Sequence, residues 1–73
     1  MLSLGGQVKV FLAAQPTDMR KGFDTLAALV QEVLHQDPLS GHLFVFRSKR
    51  GDRVKILYWN TQGYALWYTR LEV

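Results

Sequence analysis

The hydrophobic residues of this chain follow two different periods, and the order of those periods constrains the fold more than any other feature. Four segments alternate with the period of two that is typical of β-strands, and one segment has helical spacing. One helix laid across a mostly antiparallel sheet of about four strands buries the apolar face of each, so the pattern predicts an α+β domain with the order strand-helix-strand-strand-strand. The segments are Gln7–Ala13, the helix from Phe23 to the Asp37–Pro38 pair, His42–Phe46, Arg53–Trp59 and Tyr64–Leu71.

The helical segment has one apolar face, because its hydrophobic residues recur three and four positions apart. Leu26, Val30 and Val33 lie at the centre of this face, so we expect them to pack against the sheet. The Asp37–Pro38 pair should end the helix after about four turns, since the residue before a proline is pushed out of the helical conformation.

The chain has 73 residues, which is the length of one domain, and we predict a single domain over residues 1–73. It contains no cysteine, which excludes a disulfide scaffold, a thiolate zinc site and a thiol nucleophile. No apolar run is long enough to span a membrane, and residues 1–10 lack the form of a signal peptide. The sequence therefore predicts a soluble cytoplasmic protein without membrane contact.

The side chains that could support catalysis are scattered. The four aspartates and two glutamates form no paired motif, whereas two-metal chemistry needs several converging carboxylates. His35 and His42 lack the third and fourth ligands that a zinc site needs. The sequence therefore predicts a protein that is not an enzyme and that has no metal and no cofactor.

Basic residues are concentrated in the second half of the chain. Residues 38–73 carry six of the nine basic residues but only two of the six acidic ones, and five of the basic residues lie between Arg47 and Lys55. This density is compatible with a polyanionic partner such as nucleic acid. It is equally typical of a solvated hairpin whose charges prevent edge-to-edge aggregation.

The predicted connection between the first strand and the helix, PTDMRKG, carries more charge than a turn requires. Arg20 and Lys21 oppose the helix dipole, which favours acidic residues at a helix start, and residues that break a local rule are candidate functional positions. A local pair between Asp18 and Arg20 that only fixes the loop is an equal alternative. The candidate nucleic-acid-binding residues of the chain are Arg20, Lys21, Arg47, Lys49, Arg50, Arg53 and Lys55.

Aromatic residues are concentrated near the C-terminus, where the last 16 residues contain five of the nine. One short helix cannot cover both faces of a sheet, so we expect some of these rings on the face away from the helix. They could enlarge the core, contact a protein, or stack on the bases of single-stranded nucleic acid. The candidate protein-contact residues are Trp59, Tyr64 and Trp67.

Five segments occur in an order that resembles a known family: PTDMRKG, FDTLAALV, DPLSGHLFVF, RGDRVKIL and WxxxGYALWYxRLE. Together they extend from about Val8 to Leu71, which is nearly the whole chain. In this combination the chain resembles the accessory protein of the insertion sequence 66 family. That protein is the second-reading-frame product often called TnpB, and it is distinct from the RNA-guided nuclease of the same name.

The resemblance implies a bacterial accessory protein that is required for transposition, while a separate transposase cuts the DNA strands. The biochemical activity of that accessory protein is not established. We expect the transposase as a partner, with DNA contact or complex assembly as the mode of action and a homo-oligomer as a further candidate. The alternative is a protein-interaction or dimerisation module without nucleic-acid contact. Similar proteins continue beyond the RLE segment with a stretch that contains Trp-Pro, so the resemblance also implies that this chain lacks their C-terminal tail.

Overall fold

A computed structural model of the chain describes residues 8–72. Gln7, at which the first predicted strand begins, lies outside the described residues, as do the remaining N-terminal residues considered for a signal peptide and Val73. The described chain forms one helix and a four-stranded sheet, which confirms the predicted α+β class and the predicted order of elements. The elements are β1 (Val10–Leu12), α1 (Phe23–Glu32), β2 (Leu43–Arg47), β3 (Arg53–Trp59) and β4 (Tyr64–Arg70).

The strands lie in the sheet in chain order, β1-β2-β3-β4. β2, β3 and β4 form an antiparallel meander, whereas β1 pairs with β2 in parallel. A parallel pair needs a crossover connection, and the segment that contains α1 provides it. β2 therefore has a hydrogen-bonded neighbour on each side, and its side chains are alternately half-buried and buried.

The helix is shorter than the sequence predicts. It has ten residues and ends at Glu32 rather than at the Asp37–Pro38 pair. His35 has a positive φ of 54°, and the Gln36 N–H donates to the Val30 carbonyl at 3.1 Å. A residue in the left-handed region cannot continue a right-handed helix, and histidine adopts that region more readily than most residues.

The core lies between α1 and one face of the sheet. Leu26 and Val30 of the helix are 0% exposed, which confirms two of the three predicted contacts. The prediction for Val33 is wrong: this residue follows the end of α1 and is 55% exposed. The sheet contributes fully buried side chains from its two central strands, each worth about 1.5–3 kcal/mol in transfer free energy. They are Phe44, Phe46 and Leu57.

Because side chains alternate along a strand, the same register that buries these residues directs their neighbours to the other face. We refer to the side of the sheet that packs on α1 as the covered face and to the other side as the open face. Phe11 lies on the covered face, where its ring stacks on Phe44 with centroids 5.5 Å apart. Its neighbours Val10 and Leu12 lie on the open face and are 60% and 63% exposed.

Candidate functional site

Hydrogen bonds bring the two basic segments of the sequence to the same end of the sheet. After β1 the chain continues along β2, since the Thr17 N–H donates to the Arg47 carbonyl at 2.8 Å. The Arg47 side chain donates in return, from Nη2 to the Ala14 carbonyl at 3.1 Å. The loop that carries Arg20 and Lys21 therefore lies beside the turn between β2 and β3, although 25 or more residues separate them in the sequence.

We refer to this region as the basic end. It comprises the β2–β3 turn, the loop between β1 and α1, and the end of β4 that pairs with the start of β3. Its exposed or half-buried basic residues are Arg20, Lys21, Arg47, Lys49, Arg50, Arg53 and Arg70.

The β2–β3 turn is held in one conformation by its own hydrogen bonds. The buried Ser48 hydroxyl donates to Asp52 Oδ1 at 3.0 Å and accepts from the Arg53 N–H at 3.1 Å. Gly51 has a φ of +78°, a conformation that residues with a side chain adopt only at a cost. The tip of the hairpin is therefore ordered before any ligand arrives.

Lys49 and Arg50 lie at the tip of this turn and are exposed. Their side chains make no hydrogen bond or ion pair with the described residues 8–72. Asp52 is the nearest acidic group, and its pKa is lowered by the hydrogen bond from Ser48, so it remains charged at neutral pH. The tip thus presents two cations, and the charge of Asp52 balances part of that of Arg50.

The PTDMRKG loop contains the local pair that the sequence offered as an alternative. The Arg20 guanidinium donates to both carboxylate oxygens of Asp18, with Nη2 at 2.8 Å from Oδ2, and the Arg20 N–H donates to Oδ1 at 2.9 Å. These hydrogen bonds lower the pKa of Asp18 and raise that of Arg20. Part of the Arg20 charge is therefore already balanced.

Lys55 is the candidate whose position differs most from the sequence interpretation. It lies on the covered face and is 8% exposed. Its ammonium group donates to the Lys21 carbonyl at 2.8 Å and lies 5.0 Å from the centre of the Tyr68 ring. Lys55 therefore connects the sheet to the start of α1 and does not belong to the exposed basic surface.

Arg70 belongs to this surface but is not among the residues predicted from the sequence. The register of the β3–β4 hairpin places it opposite Arg53. The sequence does contain a signal for this pairing. If the tight NTQG turn places Trp59 opposite Tyr64, counting along both strands away from the turn places Arg53 opposite Arg70. Two like charges directly opposite each other destabilise a strand pair. Asp52 lies 3.8 Å from Arg53 and balances part of that charge.

The three candidate protein-contact residues lie on different faces. Trp59 and Tyr64 lie on the covered face, where their rings meet edge to face at 5.3 Å, and Tyr64 packs against the core. Trp67 lies on the open face and is 52% exposed. The expectation that some rings lie away from the helix is therefore met by Trp67, while the other two extend the core.

Within residues 8–72, no three His, Cys, Asp or Glu side chains lie close enough together to hold a metal ion. The ten-residue helix of this same region is too short to cross a membrane.

The fold and the basic end define a small α+β domain with a cationic surface at one end of its sheet. A family model described as IS66 Orf2 like protein matches residues 8–73. The chain therefore belongs to this family, which confirms the resemblance found in the sequence.

Two curated relatives come from Sinorhizobium fredii (strain NBRC 101917 / NGR234). The uncharacterized protein y4hO is 47% identical over 72 residues, which cover 99% of this chain and 63% of y4hO. The uncharacterized protein y4jC is 44% identical over 59 residues, which cover 81% of this chain and 50% of y4jC. The chain thus spans less than two thirds of the length of these relatives. No solved structure gives a significant match.

Proposed function

We propose that this protein is a non-catalytic, cytoplasmic accessory factor that contacts the DNA backbone through its basic end and assembles with the transposase of the same insertion sequence. The observation that carries the proposal is the convergence of two basic segments, distant in sequence, on one end of the sheet. Family membership supplies the transposition context.

The residues have distinct proposed roles. Lys49 and Arg50 reach phosphates from the tip of an ordered turn, where neither side chain is held in an ion pair with the described residues. Arg53 and Arg70 bind an anion between them, because a phosphate would relieve their mutual repulsion. Arg47 holds the two segments together through the Ala14 carbonyl, and Arg20 is paired with Asp18 inside the loop, so both position this surface more than they supply free charge. Lys21 lies in the same loop and remains a candidate phosphate contact.

Such contacts would position the protein on DNA without reading the sequence, since phosphates carry no base information. We therefore expect weak, sequence-independent binding whose affinity falls steeply with salt, because each neutralised phosphate releases counterions. The hairpin tip is narrow, so its side chains can approach the phosphates that border a groove.

A salt titration of DNA binding tests this proposal. The Lys49→Ala, Arg50→Ala double variant should reduce the slope of log affinity against log salt by about two units, since each lost phosphate contact removes about one. It should also lower transposition while leaving the melting temperature nearly unchanged.

Lys9→Ala is the matched control for this variant. Lys9 is also exposed but lies at the opposite end of β2, where its carbonyl accepts a hydrogen bond from the Leu43 N–H. Wild-type protein without salt-sensitive binding, or a double variant with normal transposition, would contradict DNA contact.

The alternative proposal is an interaction module that binds the transposase without nucleic-acid contact. The half-exposed apolar residues of the open face favour it, since such patches mark contacts between proteins. Co-purification with the transposase separates the two functions. An interaction module keeps the transposase bound after nuclease treatment and in high salt, while showing no salt-dependent DNA affinity of its own.

A further inference from the structure

The open face of the sheet is apolar across its whole width. In the register of the sheet, one row of side chains crosses all four strands without interruption: Leu12, Val45, Ile56 and Trp67. A second row contains Val10, Leu43, Tyr58 and Ala65. α1 packs on the other side, so these residues gain nothing from the helix.

This composition is unusual for a sheet face that meets water. Antiparallel sheets with one solvated face alternate between apolar and polar residues, and the polar set points outwards. Here the outward set is apolar except for Arg47 and Thr69, and its two edges are marked by exposed Leu12 (63%) and Trp67 (52%). Domains bury each apolar face against another layer of secondary structure, and the open face has no such layer among residues 8–72.

Charge restricts what can cover this face. Among the outward positions of the four strands, Arg47 is the one charged residue, and its guanidinium already donates to the Ala14 carbonyl at one corner. The face therefore cannot select its partner by charge. It requires a flat, uncharged, apolar surface of similar width, and the same face on a second copy of this chain has these properties.

From these observations we infer that two copies of this chain pack face to face through their open faces. Two sheets in contact lie about 10 Å apart, with their inner side chains interdigitated. A two-fold axis perpendicular to the strands places Arg47 of each copy over the far end of the other sheet, so the two guanidinium groups do not repel each other. The two basic ends then point in opposite directions.

The size of the face determines how tight the dimer should be. From ordinary strand spacing and rise, four short strands present roughly 400 Å² per copy, or about 800 Å² in total. This is below the size of stable obligate interfaces, so the dimer should dissociate on dilution, with a dissociation constant in the micromolar range. The inference is independent of the proposed DNA contact.

Sedimentation across a concentration series tests it directly. The monomer mass is 8.4 kDa, and the mean mass should rise towards twice that value as concentration increases. In a Trp59→Phe background Trp67 is the one remaining indole, and its emission should shift to shorter wavelength over the same range. A monomeric mass at about 500 μM, with Trp67 emission independent of concentration, would overturn the inference.

Two matched pairs of variants locate the interface. Trp67 and Tyr68 are neighbours on β4 with nearly equal exposure, 52% and 50%, but lie on opposite faces. Trp67→Ala should raise the dissociation constant at least about tenfold, because tryptophan is among the residues that contribute most to protein contacts, whereas Tyr68→Ala should change it little. If both weaken the dimer equally, the copies pair through the β4 edge and the face-to-face arrangement is wrong.

The second pair is at the opposite edge of the sheet. Leu12→Ser should weaken the dimer, whereas Leu39→Ser should not, since Leu39 is 51% exposed but lies outside the sheet. A dimer insensitive to Leu12→Ser would overturn the inference. So would protein that stays monomeric alone while Trp67 becomes shielded on adding the transposase, because the face would then belong to that partner.

Discussion

The two faces of the sheet are built from the same kind of residues but are used differently. Neighbouring residues of β2 illustrate this: Phe44 is 0% exposed beneath the helix, whereas Val45 points to the open face and stays partly accessible. The covered face also contains a buried cation, Lys55, while the open face has a single charge at its corner. The alternation of apolar residues along a strand therefore does not by itself show which face of the sheet a protein uses for its own core.

The largest effect should come from truncation on the covered face. Phe44→Ala removes a ring that stacks on Phe11 and should cost about 3–5 kcal/mol in the free energy of unfolding. Val45→Ala, one position along β2, should cost much less when measured by chemical denaturation at low concentration. Similar losses for the two variants would show that both faces are covered within one chain.

The helix offers the second test. Leu26→Ala should destabilise the domain by about 2–5 kcal/mol, because Leu26 is fully buried between α1 and the sheet. Val33→Ala serves as the control, since Val33 is 55% exposed and substitutions at such positions are usually within about 0.5 kcal/mol. Thermal unfolding of both variants checks this. A marked loss for Val33→Ala would mean that the chain beyond α1 packs more closely than described.

An intermediate effect is expected for the buried cation of the covered face. Lys55→Met keeps the aliphatic stem but leaves the Lys21 carbonyl without its donor, so the variant should lose about 1 kcal/mol of stability. Lys49→Met, at the exposed tip, should leave stability nearly unchanged. The same pair sharpens the functional assignment, since Lys49→Met should lower the salt dependence of DNA binding and Lys55→Met should not. If Lys55→Met lowered the salt dependence and Lys49→Met did not, Lys55 would belong to the DNA-binding surface.

The smallest effect concerns the exposed pair in the loop between β1 and α1. The Asp18 pKa is lowered by hydrogen bonds from Arg20, so the pair stabilises the fold above the ordinary Asp pKa of about 3.9. This contribution is lost as pH falls through the lower folded-state pKa. Asp18→Asn should therefore remove a small stabilisation at neutral pH and flatten part of the acid limb of a melting-temperature profile, so that the variant and wild type converge at low pH. Arg20→Gln should produce the same change, and unaltered acid limbs in both variants would show that the pair contributes nothing.

The sequence by itself determined the elements of the fold, because local periodicity and turn chemistry act over a few residues. The predicted bounds of Arg53–Trp59 agree with β3, and the SKRGD and NTQG turns close the two hairpins. The Asp18–Arg20 pair was also foreseeable, since the two residues are two positions apart. The helix end was not, because it depends on the left-handed conformation of His35, for which the sequence carries only a weak preference.

Tertiary structure alone decided which residues share a surface. Long-range hydrogen bonds, such as that from the Thr17 N–H to the Arg47 carbonyl, bring the loop between β1 and α1 next to the β2–β3 turn. A local sequence pattern does not encode such a contact between distant segments. The placement of α1 buried Lys55 and left Trp67 exposed, although both lie on strands with apolar residues at alternate positions. The alternation of residues along the strands shows that the sheet has two faces. It does not show which face forms the core, because hydrophobic burial has no preferred direction. The packing of the helix on one face determines this.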